Sequence, residues 1–377
     1  MTLVNQMNYR VVMQQNILIG LLKAGLGVKV NIAAEQCEDI DWQAIYRAAA
    51  EQGVAAIVWD GIEKLIADGC ISPATSPQRA VRLQWALAVE QTEARYAKQR
   101  RAIVHLADIY AEEHIAMMIL KGYGLSLLYP RPEHRACSDI DIWLFGQQRR
   151  ADEALRTKHN IVVDNGRHHH TIFRIDGVLI ENHYDFLNIS SHRSNRDIEA
   201  LLKQQATEGV AIEVEGRTVY TPNANCHALF LLRHAAVHFA AVEIVLRHII
   251  DWALFVKHHH NDIDWSWLRG ICRRHNMELF LDVMNGLAAE LADIDIHYMP
   301  DTVRRAELER RVLADILTPE FTLRQPESGL CAIVWYKCRR WWANRWKHRI
   351  VYRDGLATTF FRQVFSHAKK PKSITQL

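Results

Sequence analysis

The stretch Ser138-Asp139-Ile140-Asp141-Ile142-Trp143-Leu144 decides how this chain is read. Acidic and apolar residues alternate in it, and a strand sends successive side chains to opposite faces. The period of two therefore predicts a strand with both carboxylates on one face. Two carboxylates so close are costly unless a cation neutralises them. They suit Mg²⁺, a hard ion with oxygen ligands, and two such ions would form the clamp used in phosphoryl and nucleotidyl transfer. The same pattern also fits a strand end with two solvated aspartates.

Upstream, Met117-Met118-Ile119-Leu120 reads as a short buried strand that turns at Lys121-Gly122 into one or two helical turns, Tyr123 to Leu128. Amides exposed at such a turn favour phosphate, and Lys121 adds a point charge. Arg135, four residues before Asp139, has the reach to meet a triphosphate or to pair with an acid. Downstream, Gln147 to Lys158 reads as a helix. His169 to Ile175 and Val178 to Phe186 read as a hairpin turning at Asp176-Gly177. Its second strand sets Glu181, His183 and Asp185 on one face. If that strand lies beside the Asp139 strand, Glu181 completes a three-carboxylate site; otherwise Glu181 and Asp185 are ordinary exposed strand residues. Ile212 to Tyr220 contains one more hairpin, at Glu215-Gly216.

Helical patterns flank this insert. Residues 8–25 are one, Asp41 reads as the N-cap of another, and 78–114 is a long run of good helix formers. From Asn223 to about Leu291 the apolar period returns to nearly 3.6. The expected layout is a helical region over 1–114, an α/β core over 115–222, a second helical region over 223–330, and a basic segment over 331–377. Glycine and proline number 17 and 9, well below the roughly 12% of average usage. That argues against an all-β fold, which needs turns. The fold class is α+β, helix-rich, with a small mixed sheet.

Taken together, Leu120-Lys121-Gly122, Tyr129-Pro130, Arg135, Asp139-Ile140-Asp141 and Glu181-Asn182-His183 resemble the uncharacterised nucleotidyltransferase family of the polymerase-beta-like superfamily. The likeness extends over about residues 10–300 and includes Arg233-His234 and His238 on a downstream helix. It implies a nucleotidyltransferase core in which Asp139, Asp141 and Glu181 are the catalytic, metal-binding carboxylates. Two Mg²⁺ ions are the expected cofactors, with Mn²⁺ as an alternative. Lys121, Gly122, Arg135 and Ser138 would hold the nucleotide, and His183, His234 and His238 are candidate substrate contacts. The implied reaction moves an NMP from an NTP to an acceptor hydroxyl and releases pyrophosphate, with Glu181 or the metals helping to deprotonate that hydroxyl. The acceptor is left open among a small molecule, a protein and RNA. Two departures bear on the phosphate grip: Tyr123 follows Gly122 where the superfamily more often has serine, and 17 positions separate Gly122 from Asp139.

Histidine is plentiful, but neighbours at i and i+1 do not converge in regular structure, so neither His168-His169-His170 nor His258-His259-His260 is expected to hold a metal. His234 and His238 have zinc-compatible i, i+4 spacing, without the glutamate of the metalloprotease pattern. Arg247 and Asp251 read most simply as a helix ion pair. Seven widely spaced cysteines with no C-x-x-C pair exclude a disulfide framework and a zinc module. With no clean signal peptide, and with Glu243, Arg247 and Asp251 breaking the apolar run 235–256, a cytoplasmic location is expected.

The net charge of +3 hides a split. Residues 337–377 hold eleven Lys and Arg against one acid, Asp354, so the first 336 residues carry −7. Within 335–353, tryptophans interleave with the cations. That suits a nucleic-acid backbone, an anionic membrane surface, or a packed helix with snorkelling arginines. A binding module built on a degenerate nucleotidyltransferase fold is the alternative to an enzyme.

Overall fold

The computed structural model describes residues 3–30, 40–166, 169–189, 192–241, 243–323, 326, 329–353 and 355. Four helices come first: α1 (Leu3–Gly25), α2 (Trp42–Glu51), α3 (Ala55–Ala67) and α4 (Arg79–Glu112). Asp41 caps α2, accepting from the Ala44 amide at 2.9 Å. A side-chain oxygen there satisfies a helix-end donor that has no partner within the helix. The α/β segment runs β1 (Met118–Ile119), α5 (Tyr123–Ser126), β2 (Asp139–Trp143), α6 (Gln148–Thr157), β3 (His170–Ile175), β4 (Val178–His183), α7 (Arg193–Gln205), β5 (Gly209–Val214) and β6 (Arg217–Pro222). Helices then resume as α8 (Ala224–Ala241), α9 (Leu246–His259), α10 (Trp265–Arg274), α11 (Glu278–Ala292), α12 (Ala306–Leu317), α13 (Leu330–Ala343) and α14 (Arg345–Val351).

The six strands form one mixed sheet in the order β3-β4-β2-β1-β6-β5. β2 runs parallel to β4, and β1 parallel to β6; the other pairs are antiparallel. The fold is thus α+β, helix-rich, around a small mixed sheet, as the patterning predicts. The helix α7 lies in a stretch that the patterning does not mark. Its buried residues are Ser194, Asn195, Ile198, Glu199 and Leu202, of which only two are apolar, so its period is hidden from a hydrophobicity reading.

Alternation in the central strands builds two environments. Ile140, Ile142, Phe173, Ile175 and Ile180 bury against Ile103, Leu106 and Tyr110 of α4 and Leu155 of α6. Within that side, Asp152 of α6 takes hydrogen bonds from Thr171, Asn182 and Tyr184. A second, larger core joins the helices before the sheet to those after it: Leu21, Leu22 and Ile57 belong to the same apolar cluster as Phe239, Phe255 and Leu281. At its tightest crossing, a Cβ on Gly61 of α3 would lie 1.9 Å from the Leu21 carbonyl of α1, so only glycine fits there.

Candidate functional site

The other face of β2 and β4 carries the ionisable residues. Parallel pairing sets Asp141 directly opposite Glu181, and antiparallel pairing sets His170 opposite His183. The expectation that Glu181 lies beside the aspartate strand is thereby met. Asp141 is fully buried, while Asp139 and Glu181 keep partial exposure. Lys121 Nζ stands 3.3 Å from Asp141 Oδ1, and His183 Nε2 stands 3.0 Å from the same oxygen. Glu181 Oε2 lies 3.7 Å from both His183 Nε2 and His170 Nε2. Asp141 Oδ2 is buried with no hydrogen-bond partner.

The electrostatics follow from this crowding. Burial pushes the Asp141 carboxyl up, but Lys121 and His183 outweigh it and hold it well below the usual carboxylate range. Asp139 is raised by burial and by the neighbouring charge of Asp141. Burial lowers His183, yet hydrogen bonds to Asp141 and Glu181 reverse that and bring it up to about 9. Lys121 behaves alike: burial pulls it down, and the three carboxylates more than restore it. Lys121 and His183 are thus the groups that offset the carboxylates' charge.

The turn before this strand is built for close approach. Gly122 has φ +62°, and a Cβ there would come 2.9 Å from Cys137 Sγ. The helix that follows, α5, has only four residues. It therefore offers little dipole to an anion, and the cation that this turn carries is Lys121. Ser138 donates its hydroxyl to Asp139 at 3.2 Å.

A cleft of about 250 Å³ opens between this face and helices α8 and α9. Lys121, Gly122, Arg135, Ser138, Asp139 and Asp141 line one wall; His234, His238, Arg247, His248 and Asp251 line the other. His234 Nε2 accepts from Lys121 Nζ at 2.9 Å. Burial, then the Lys121 charge, drives His234 well down and His238 to about 4. Burial and Arg247 bring His248 to about 3. These rings are neutral hydrogen-bonding groups near pH 7, gathered beside Lys121.

The structure brings together nearly all the residues singled out from sequence, and changes the surroundings of several. Arg135 is buried and makes a bidentate pair with Asp251, Nε to Oδ1 at 2.7 Å and Nη2 to Oδ2 at 2.8 Å. Tyr129 donates to Asp251 Oδ1 at 2.7 Å. Asp251 therefore pairs with Arg135 rather than in the simple helix pair with Arg247, whose guanidinium instead holds the Ala136 carbonyl at 2.7 Å. Arg135 Nη1 remains buried without a hydrogen-bond partner and borders the cleft.

The ligand atoms of Asp141, Glu181 and His183 lie within 4.8 Å of one another, as do those of His169, His170 and His183. The second group departs from the expectation that adjacent histidines do not converge. His169 sits in a bend just before β3, so its ring turns onto that of His170, with centroids 4.5 Å apart, instead of alternating away from it. His168 lies outside the described residues. Among the described residues, His234 and His238 gather no third metal ligand, and the triplet 258–260 forms no ligand group. His170 and His248 were not chosen from sequence as site residues. His248 was legible in principle, since it shares a helix face with Asp251 and Trp252.

The basic C-terminal segment divides. Lys347 is buried and pairs with Asp315 at 2.5 Å, and Trp346 packs edge-on to Phe239. Trp335 and Trp342, by contrast, are 57% and 62% exposed, with Arg339 and Arg345 each 4.9 Å from a ring centroid. Among the described residues no helix is long and apolar enough to cross a membrane.

Residues 38–293 match the model of a family described as uncharacterised nucleotidyltransferase, and no curated protein or solved structure matches the chain. With more than half its length in that match, the chain belongs to this nucleotidyltransferase family.

Proposed function

We propose that this member of the nucleotidyltransferase family transfers an NMP from an NTP to an acceptor hydroxyl, in the cleft between β2–β4 and α8–α9. The observation that carries the reading is the facing pair Asp141 and Glu181, with one Asp141 oxygen buried and unpartnered. An orphaned carboxylate oxygen is a costly arrangement that a bound cation relieves. Asp141 and Glu181, with Asp139 two residues back on the same strand face, fit a divalent ion, Mg²⁺ or Mn²⁺. Bound there, the ion would supply Lewis-acid polarisation of phosphate oxygens.

The chain's own residues account for the rest. Lys121 supplies positive charge to the triphosphate, Arg135 offers its unpartnered Nη1 as a donor, and the Gly122 turn lets the chain approach Cys137 closely enough to form that wall. Ser138 sits beside Asp139 with a hydroxyl able to turn toward a phosphate oxygen. The acceptor oxygen attacks the α-phosphorus, the bond to the bridging oxygen breaks, and pyrophosphate leaves. The hydroxyl proton passes to a carboxylate of the set; Asp139 and Glu181 keep the solvent access for this, whereas Asp141 does not. Neutral His234 and His238 offer hydrogen bonds to the substrate without adding charge. Positioning and fixed electrostatics supply most of the rate.

The test is transfer of label from α-labelled NTPs to acceptors in a cell lysate supplied with Mg²⁺ and, separately, with Mn²⁺, comparing wild type with Asp139→Ala. Labelling by wild type alone supports the reading. Equal labelling by the variant refutes the site, and no labelling by either refutes the activity.

One observation favours a second reading, in which the chain binds a polyanion through α13. Trp335 and Trp342 lie two turns apart, on one face, with arginines over their rings. Under that reading Asp141→Asn binds its partner like wild type, and transfer is absent from both.

A further inference from the structure

The carboxylate pair is not an all-oxygen site. His183 reaches it as closely as any charged group, and the ring is held as a metal ligand's ring is held. Its Nδ1 lies 3.1 Å from the Asp185 carbonyl, which accepts a hydrogen bond from it, so Nε2 is the nitrogen turned toward Asp141 and Glu181. Metal-bound histidines almost always anchor the other ring nitrogen to a carbonyl or carboxylate, fixing tautomer and orientation. With Nδ1–H so occupied, it is the Nε2 proton that an incoming cation displaces, which leaves the lone pair on Nε2. That atom and one oxygen each of Asp141 and Glu181 lie within 4.8 Å of one another. A second imidazole, His170, stands 3.7 Å from Glu181.

We propose that His183 Nε2 is an inner ligand of the site's divalent cation, together with Asp141 and Glu181. The site then selects a transition ion that accepts imidazole, of the Mn²⁺ class, over Mg²⁺. Mg²⁺ is a hard ion that keeps oxygen and water around it, while imidazole suits transition ions. Two carboxylates and one imidazole form a mixed set that penalises Mg²⁺. The sheet builds this set: parallel pairing brings Glu181 to Asp141, and the period of two along β4 adds His183 to the same side. The inference rests on the reading that the carboxylate pair holds a cation, but not on the transfer reaction.

Mn²⁺ is the probe, added to the full chain with no NTP and no acceptor. Electron spin-echo modulation of the Mn²⁺ complex is expected to show coupling to a directly bound ¹⁴N, replaced by ¹⁵N coupling in protein grown with ¹⁵N-histidine. By calorimetry, Mn²⁺ binds more tightly than Mg²⁺, and His183→Asn loses Mn²⁺ affinity by at least the roughly 10-fold that loss of a mere supporting partner costs. Absence of nitrogen coupling in wild type overturns the proposal. So does a coupling lost in His170→Ala and kept in His183→Asn, which places the ligand on the other ring. If His183→Asn does not fold, His170→Ala decides: nitrogen coupling kept in that variant supports His183, and coupling lost overturns the proposal. Failure of NTP labelling leaves this result standing, and failure here leaves the labelling assay standing.

Discussion

Asp141 and Asp251 are both buried carboxylates bordering one cleft, and their partners differ in kind. Asp251 is saturated: Arg135 grips both oxygens and Tyr129 donates to one. Asp141 has Lys121 and His183 crowded on one oxygen and nothing on the other. A buried charge with every lone pair satisfied braces a fold, while one with an orphan oxygen carries a free-energy cost that ligand binding can recover. Arg135–Asp251 ties the segment before β2 to α9, and so holds the two cleft walls together. Asp141 is what the walls enclose.

The largest break in this comparison is expected from Asp141→Asn. Label transfer should fall on the order of 10³-fold or more, while urea denaturation shows a smaller stability loss than in Asp251→Ala, because Lys121 and His183 keep Asp139 and Glu181 beside them. Asp251→Ala should behave in the opposite sense, losing about 3–5 kcal/mol of stability because it leaves the Arg135 charge buried and unpaired. A large stability loss in the first variant, or none in the second, would reverse the assignment.

Acid sharpens the contrast. Burial raises the Asp251 carboxyl, but Arg135 outweighs it, so the folded value lies below the unfolded one near ~3.9. The pair's contribution is then fully present above that unfolded value and is lost as pH falls through the folded value. The stability gap between wild type and Asp251→Asn should therefore narrow as pH falls below about 5. Denaturation curves at stepped pH read this directly, and a gap that widens on acidification contradicts it.

A smaller effect is expected at the turn. Gly122→Ala combines a left-handed backbone with a 2.9 Å approach to Cys137 Sγ, and should cost about 1–3 kcal/mol, visible as a lower Tm. The smallest belongs to α13. Trp342→Ala removes an exposed side chain and should stay within about 0.5 kcal/mol of wild type in the same melt. Lys347→Ala, which orphans buried Asp315, should not.

The chemistry of the site was legible because it lies in short-range patterns. Alternation in 138–144 placed Asp139 and Asp141 on one face, and the same period placed Glu181 and His183 together. The helix boundaries, the hairpins and the Asp41 cap follow from local signals of the same sort. What stayed hidden depends on distance along the chain. Arg135 and Asp251 are 116 residues apart, and no local spacing announces that they meet. His170 joins the carboxylates only through the register of the β3–β4 hairpin and the parallel seating of β4 on β2. The bend that lets His169 and His170 converge is a departure from strand geometry that periodicity does not encode.

The sequence by itself thus determined the residue types, the fold class and the face on which the carboxylates lie, because strand and helix periods are properties of the local backbone. Only the tertiary structure decided which carboxylate is braced and which is left with an unpartnered oxygen. Burial, and the partners that come with it, are set by the packing of elements far apart in the chain. The same packing turned the basic C-terminal segment into two parts, with Lys347 drawn into the body and Trp335 and Trp342 left outside.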